Sequence, residues 1–356
     1  MYIGKKVLFN YEQVYLDSVY VFDDGDFIIF GVPDNILENE QTTQINDRRK
    51  SAVFDKKTFK PKVVLDISGL ASFFNLANNE FGICKDSSFF EIYKFNNDRT
   101  SFKEVQKFSN FEGGSSKDIK QMLNGDILIT RVYVGYNGIY VYRKNDNNPK
   151  YAPYGEKFLF QLEDIDEIIN LNDKEALGYK KNYAVDSLIL KIISIDDYKI
   201  IRQNEIKFKD NNNEMRLYTV QPIYKIHKNK LVTIGTKCLY IFGLDNLELE
   251  TTIYFDKNIT KILIRPKENI FLFCRKENKI FKNKREHDGT KFFYEQFLYN
   301  IKIDFETNDL IETKEENITD YCGENKELFG LFNYINNGII ALIDKSKIII
   351  YENCDD

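Results

Sequence analysis

A single hairpin unit recurs seven times along this chain, and this recurrence restricts the fold more than any other feature of the sequence. Each unit has an apolar alternating strand, a short polar turn rich in Asn, Asp, Gly or Lys, and a second, more apolar strand, which is the pattern of a β-hairpin. The units cover residues 19–32, 72–86, 119–132, 165–181, 222–236, 259–275 and 328–344. Their turns lie about 52 residues apart on average, a period typical of propellers and other repeat architectures.

Each hairpin is followed by a third apolar strand, a turn and a more polar fourth strand, as in residues 51–55 and 62–68. Four of the third strands end in an aspartate at the point where the chain reverses, namely Asp55, Asp196, Asp245 and Asp304. A carboxylate at this position can accept a backbone N–H and start the reversal. We therefore expect a series of four-stranded antiparallel sheets.

The two ends of the chain complement each other. The seventh unit continues into an apolar strand at 347–353 and has no fourth strand, whereas residues 5–10 precede the first hairpin and have no hairpin partner. Pairing these two segments would remove two exposed sheet edges. The sequence thus predicts an all-β fold, a seven-bladed β-propeller of four-stranded antiparallel blades, closed by the N-terminal strand pairing with the C-terminal blade. The spacing leaves one blade more or one fewer open.

Over about residues 5–353, this pattern resembles the WD40-like β-propeller family. The resemblance lies in the repeat and the closure. The nearest equivalents of the signature repeat are residues 240–253 and 53–66, in a chain that has no Trp and no Gly-His pair. The resemblance implies one domain over residues 1–356, and a non-catalytic scaffold that recruits partner proteins, possible as a subunit of a larger assembly.

Composition indicates a cytoplasmic protein. The 50 basic and 55 acidic residues are scattered along the chain, which argues against nucleic acid as a partner. No run approaches the roughly 18 apolar residues of a membrane span, and the first residues lack the apolar region of a signal peptide. The cysteines form a widely spaced set without a CxxC pair, typical of free thiols in a reducing compartment: Cys84, Cys238, Cys274, Cys322 and Cys354.

Two segments are compatible with another secondary structure. Residues 165–179 could form an amphipathic helix, and residues 70–80 are also compatible with helix, because short apolar patterns do not distinguish the two. We favour strands, since both segments occupy the position that hairpins fill elsewhere in the repeat.

Candidate catalytic groups are few. The only histidines, His227 and His287, lie in a polar turn and a polar loop, where solvated imidazoles are expected. The sequence contains no nucleophile elbow, zinc-protease or nucleotide-binding motif. We expect no catalytic residue, no metal site and no cofactor. The paired acids at 164–167 and 314–317 keep a propeller hydrolase as an alternative.

The sharpest local feature is the basic segment 274–291, which is loop-like in composition. Clustered cations attract acidic proteins, anionic lipid headgroups such as phosphoinositides, and nucleic-acid backbones. Its candidate binding residues are Arg275, Lys276, Lys279, Lys282, Lys284 and Arg285. A solvated insertion in the sixth blade is the simpler interpretation, so a protein partner is our main expectation and a membrane lipid the alternative.

Overall fold

The chain consists of short β-strands joined by turns. The computed structural model describes residues 5–10, 19–22, 25–33, 49–65, 72–86, 89–108, 115–133, 136–142, 160–162, 165–182, 185, 187–207, 223–227, 229–264, 269–280, 291–319, 328–333, 339–343 and 347–351. The chain divides into two compact units. We name Leu16–Lys181 with Leu188–Glu205 the first unit, and Met1–Tyr15, Asn182–Ser187 and Ile206–Asp356 the second unit.

The first unit holds four sheets, each with its strands in chain order. Sheet one contains β2 (Val19–Val21), β3 (Phe27–Pro33), β4 (Arg49–Phe54) and β5 (Pro61–Leu65). Sheet two contains β6 (Ser72–Asn75), β7 (Glu80–Asp86), β8 (Phe89–Phe95) and β9 (Phe102–Phe108). Sheet three contains β10 (Ser115–Gln121), β11 (Ile127–Tyr133), β12 (Tyr136–Tyr142) and β13 (Phe160–Leu162). Sheet four contains β14 (Glu167–Asn170), β15 (Glu175–Asn182), β16 (Ser187–Ser194) and β17 (Ile200–Lys207), whose terminal residues extend beyond this unit.

The second unit holds three sheets among its described residues. Sheet five contains β18 (Tyr224–His227), β19 (Lys230–Ile234), β20 (Cys238–Gly243) and β21 (Leu249–Tyr254). Sheet six contains β22 (Asn258–Ile264), β23 (Asn269–Ile280), β24 (Lys291–Asp304) and β25 (Asp309–Asn317). Sheet seven contains β26 (Leu328–Asn333), β27 (Ile339–Ile343), β28 (Lys347–Tyr351) and, at its edge, β1 (Lys5–Asn10).

The last sheet combines the two ends of the chain. β1 pairs antiparallel with β28, and Val7 stands opposite Ile349 in the register. A bulge between Val7 and Phe9 shifts the remaining pairs by one residue. This pairing is the one that the sequence predicts for segments 5–10 and 347–353.

The four-stranded antiparallel sheets predicted from the repeat are confirmed, and the helical alternative is wrong. Segment 165–179 forms β14 and the first part of β15, with Ile169 opposite Leu177. Segment 70–80 contributes β6, with Phe73 opposite Ile83 on β7. Periodicity was ambiguous over these short segments, and the cross-strand partner decides between the two structures.

Apolar side chains from consecutive sheets form shared cores. One cluster joins Ile28 and Val53 of sheet one with Phe81 and Ile83 of sheet two. The clusters between sheets two and three, three and four, and five and six have the same composition of buried Ile, Leu, Val and aromatic residues. Each sheet is therefore apolar on both faces, and the central strands read as almost continuous apolar runs, as in the SLILKIIS sequence of β16.

Aromatic rings fill much of the space between sheets one and two. The Phe81 ring stacks on Phe95 at 4.2 Å between centroids, and Phe22 of sheet one meets Phe95 edge-on at 5.9 Å. Phe73 lies 5.2 Å from Tyr20 across the same boundary. In this part of the chain the abundant Phe and Tyr are core residues, as expected from the sequence, because flat rings bury a large area in a narrow gap.

The hairpin turns of the first four sheets share one construction. A buried apolar residue donates its N–H to the carbonyl of an acidic residue four positions later. The pairs are Phe22 and Asp26, Leu76 and Glu80, Met122 and Asp126, and Leu171 and Glu175. In two of these turns a glycine, Gly25 or Gly125, adopts a φ of 89°, which a side chain would strain. The recurring turn aligns the four sheets residue by residue.

The turns between third and fourth strands link neighbouring sheets. In five of them a residue other than glycine has a φ between 54° and 59° or at 61°: Phe59, Arg99, Tyr198, Leu247 and Asn308. Three of these side chains bond to the preceding sheet. Arg99 Nη1 contacts Asp26 Oδ2 at 3.4 Å, the Tyr198 hydroxyl donates to Asp126 Oδ2 at 2.9 Å, and Asn308 Nδ2 donates to Glu250 Oε2 at 2.8 Å. The left-handed backbone conformation thus accompanies a polar bond between sheets.

The predicted role of the turn aspartates is confirmed where the structure prints their bonds. Asp55 Oδ1 accepts the N–H groups of Lys57 and Thr58 at 2.9 and 2.7 Å, and these hydrogen bonds lower the pKa of this carboxyl, with Thr58 contributing most. Asp304 Oδ1 accepts the N–H of Glu306 at 2.9 Å. At Asp245 the bond is instead to the side-chain amide of Asn229, at 3.0 Å.

Replacing Tyr198 by Phe tests the links between sheets. The change removes the hydroxyl that donates to the buried Asp126 and leaves that carboxylate short of one donor, so we expect the free energy of unfolding to fall by about 1–3 kcal/mol. Urea unfolding followed by circular dichroism measures the loss. Tyr254→Phe is the matched control, because Tyr254 is 59 % exposed on β21 and its hydroxyl contributes little. Equal stability of the two variants would contradict the assigned role.

Candidate functional site

Part of the basic segment is regular structure and not a loop. Residues Arg275–Ile280 continue β23, and Lys291 begins β24. The prediction that 274–291 is loop-like throughout is therefore wrong for this part, since the two strands pair from Asn269 opposite Lys302 to Ile280 opposite Lys291. Lys282, Lys284 and Arg285 lie outside the described residues, so the structure does not bring the six candidates together.

The hairpin extends past the ladder of its own sheet. β22 begins at Asn258 opposite Arg275, and β25 ends at Asn317 opposite Phe297. Beyond those positions β23 and β24 continue as a two-stranded ribbon in which Lys276 stands opposite Glu295 and Lys279 opposite Phe292. Lys276 is exposed and Arg275 partly buried. Because a glutamate faces one of the cations, the described part of the segment is a weaker anion site than its sequence indicates.

A buried lysine next to the same ribbon is the densest charge cluster among the described residues. Lys257, only 8 % exposed, precedes β22 and contacts Asp256 Oδ2 at 3.1 Å, Glu315 Oε2 at 2.9 Å and the Tyr299 hydroxyl at 2.6 Å. Its Nζ also lies 4.4 Å from the ring centroid of Phe297. The Tyr299 hydroxyl donates to Asp256 Oδ1 at 3.0 Å.

This environment keeps the cluster protonated at its basic and weakly acidic groups. Burial acts to lower the pKa of Lys257, but hydrogen bonds with Tyr299, Glu315 and Asp256 outweigh it, and the pKa is raised. Burial also raises the pKa of Tyr299 and of the neighbouring Cys274 thiol, and Lys257 only partly opposes this. A nucleophilic lysine or cysteine needs a lowered pKa. The cluster therefore ties β22, β24 and β25 together and lacks an activated nucleophile.

The described residues contain no alternative reactive centre built from histidine or a metal. His227 lies on β18 with its side chain outside the description, and His287 is outside it altogether. Among the described residues, no group of three or more His, Cys, Asp or Glu side chains is placed to hold a metal ion. Within the same residues, none of the helical structure is long and apolar enough to span a bilayer.

A cleft of about 380 Å³ lies in the first unit, at the turn ends of sheets one to three. Its floor is apolar and consists of Phe22, Leu76, Phe95 and Met122, all buried. Its rim carries the amide side chains of Asn75, Asn78, Asn79 and Gln121, together with Ala77, Arg99 and Leu123. The sequence prediction included none of these residues as a site, although the recurring apolar and acidic turn positions would have aligned them.

Hydrogen bonds fix the rim of this cleft. Asn170 of the next sheet donates to the Gln121 carbonyl at 3.1 Å and accepts the Leu123 N–H at 3.3 Å. The Ala77 N–H donates to Gln121 Oε1. Arg99 lies over the Phe22 ring, with its guanidinium carbon 4.3 Å from the centroid. These contacts hold the rim in one arrangement before any ligand arrives, which lowers the entropic cost of binding.

Lys257→Met tests whether the charge cluster is structural. The side chain keeps its bulk against Phe297 but loses the bonds to Tyr299, Glu315 and Asp256, so we expect unfolding at a free energy lower by about 2 kcal/mol. The loss stays moderate because the Asp256 and Glu315 side chains are 73 % and 39 % exposed and can regain water. Urea titration measures it, with the exposed Lys276→Met as control. A variant as stable as wild type would show that the cluster contributes nothing.

The sequence itself matches no protein-family model and no curated protein. Solved structures do resemble the fold. A candidate 6-phosphogluconolactonase from Bacteroides uniformis is 11% identical, with 94% of this chain and 93% of that chain covered and a TM-score of 0.55. BBS1N, solved in complex with ARL6DN, is 10% identical, with 100% and 97% covered and a TM-score of 0.51. The WD40 domain of SCAP from fission yeast is 10% identical, with 98% and 87% covered and a TM-score of 0.51. At such identities the likeness concerns the fold alone, and that fold is an all-β arrangement like that of the WD40 propellers.

Proposed function

We propose that the chain is a single domain, a closed propeller of seven blades in which sheet seven is completed by the N-terminal strand, and that it acts in the cytoplasm as a non-catalytic scaffold for partner proteins. The observation that carries the proposal is the pairing of β1 with β28 in a chain of four-stranded sheets whose consecutive members share apolar cores. A sheet that needs both ends of the chain gives the ring a natural point of closure.

The chemistry of the described residues favours binding over catalysis. The most concentrated cluster of ionisable groups, around Lys257, holds its lysine, tyrosine and thiol protonated. The structural relatives include one solved in a protein complex and one named for lactone hydrolysis. Since fold alone does not determine function, the site chemistry is the stronger argument, and it supports the scaffold.

A designed disulfide tests the closure. In a Cys354→Ser background, Val7→Cys with Ile349→Cys places two thiols at directly opposed positions, and we expect them to oxidise readily and to raise the melting temperature. The control pair, Val7→Cys with Ile348→Cys, is displaced by one residue and directs the side chains to opposite faces. Thiol counting and non-reducing electrophoresis measure the bond. Equal cross-linking of both pairs would contradict the register.

Purification of the tagged chain from its native cells tests the scaffold role. We expect one or more proteins to co-purify in fixed stoichiometry and to re-form the complex when the purified components are mixed, as measured by light scattering after size-exclusion chromatography. A chain that remains monomeric in both settings contradicts the proposal. Hydrolysis of 6-phosphogluconolactone above the uncatalysed rate would favour the enzyme. Flotation with anionic but not neutral liposomes, lost when Arg275, Lys276 and Lys279 are changed to Gln, would favour the lipid-binding alternative.

A further inference from the structure

The cleft of the first unit has a feature that the turns do not require. In the four aligned hairpin turns, the residue after the buried apolar position is Asp23, Ala77, Leu123 or Asn172. The turn therefore accepts small and polar residues there, and a leucine adds nothing to its construction. Leu123 is nevertheless 62 % exposed, on the rim of the cleft. Leaving a large apolar side chain in water at a concave surface is typical of a binding site.

The cleft offers a peptide complementary groups. Its floor can take one apolar side chain, and its volume of about 380 Å³ lies near the lower end of the range for small-ligand sites. The amide groups of Asn75, Asn78 and Asn79 on the rim carry both donors and acceptors, the combination that a peptide main chain needs. An apolar floor below an amide rim suits a side chain presented from an extended backbone.

The charge at the cleft favours an acidic neighbour. Asp26 Oδ2 faces two cations, with Lys62 Nζ at 2.8 Å and Arg99 Nη1 at 3.4 Å. Around them, the described residues of the β4–β5 and β8–β9 turns, taken with Asp26 and Lys62, carry more cations than carboxylates: Lys56, Lys57, Lys60, Lys62 and Arg99 against Asp26, Asp55 and Asp98. A guanidinium has five N–H donors and binds carboxylates in a planar geometry. Arg99, which lines the cleft, is placed to meet a carboxylate of the ligand.

We propose that this cleft binds an extended segment of a partner protein that presents an apolar side chain next to a carboxylate. The apolar side chain occupies the floor between Phe22 and Met122 and contacts Leu123, and the carboxylate pairs with Arg99. The proposal rests on the proposed scaffold function and assigns it a site and a ligand chemistry.

Methionine methyl resonances report on this cleft directly. The chain has only Met1, Met122 and Met215, and Met122 alone lines the cleft. Spectra of the full chain with ¹³C-methyl methionine are recorded while acetyl-Leu-Asp-methylamide is added, with acetyl-Leu-Lys-methylamide and acetyl-Gly-Asp-methylamide as comparison probes. We expect the Met122 signal to shift saturably, with the first probe binding about fivefold more tightly than either of the others, as one exposed ion pair or one side-chain contact provides.

Three variants define the outcome. Leu123→Ser should weaken both leucine probes, whereas Leu310→Ser, at a leucine 40 % exposed on β25, should change neither. Arg99→Gln should abolish the preference for Asp over Lys. An unresponsive Met122 signal, equal binding of the glycine probe, or an unchanged preference in Arg99→Gln would each overturn the proposal. If the native complex persists in Leu123→Ser while Met122 responds to no probe, the cleft assignment fails and the scaffold role stands; a responsive cleft in a chain without partners gives the reverse.

Discussion

The apolar layer between consecutive sheets is the constraint on which the rest of this structure depends. A β-sheet that is apolar on both faces cannot remain alone in water, so each sheet must be covered by its neighbours. In the cluster of Ile28, Val53, Phe81 and Ile83, both sheets supply residues from their inner and middle strands. The fourth strands lie outside this layer, and β25 is exposed along almost its whole length. Its Glu and Lys side chains protect an edge that could otherwise pair with another chain.

The polar bonds between sheets act on geometry more than on affinity between the sheets. Tyr198 and Asp126, or Asn308 and Glu250, join the third turn of one sheet to the preceding sheet at a defined height. Apolar packing alone tolerates small shifts, whereas a buried carboxylate with a single well-placed donor does not. The side chains that make these bonds come from residues with positive φ, where the backbone directs them away from their own strand. Such a link costs backbone strain, and the stability gained by satisfying a buried acid offsets it.

The sequence was sufficient for the strands and insufficient for the contacts between them. Alternating apolar residues and turn chemistry identify the hairpins, and the unmatched segments at the two ends identify the pairing of Val7 with Ile349. Periodicity could not separate strand from helix at 165–179, nor show that Arg275 continues a strand, because basic residues are common both in loops and in protruding ribbons. The cleft was not predictable, since Phe22, Leu76 and Met122 are about 50 residues apart in sequence and meet only when the sheets stack.

The same stacking explains where binding chemistry can occur in this chain. Side chains on the sheet faces are consumed by the cores, and the acids of the hairpin turns, such as Asp26 and Asp126, are buried and bonded. The residues left to vary are those that the turns do not use, and Leu123 is the case in which such a residue is apolar and exposed. A turn that is held by Asn170 and can change its tip without losing its own hydrogen bonds provides a rigid support for recognition. This separation between residues that hold the sheets and residues that face the solvent allows a repeat architecture to acquire a binding specificity without a change in its fold.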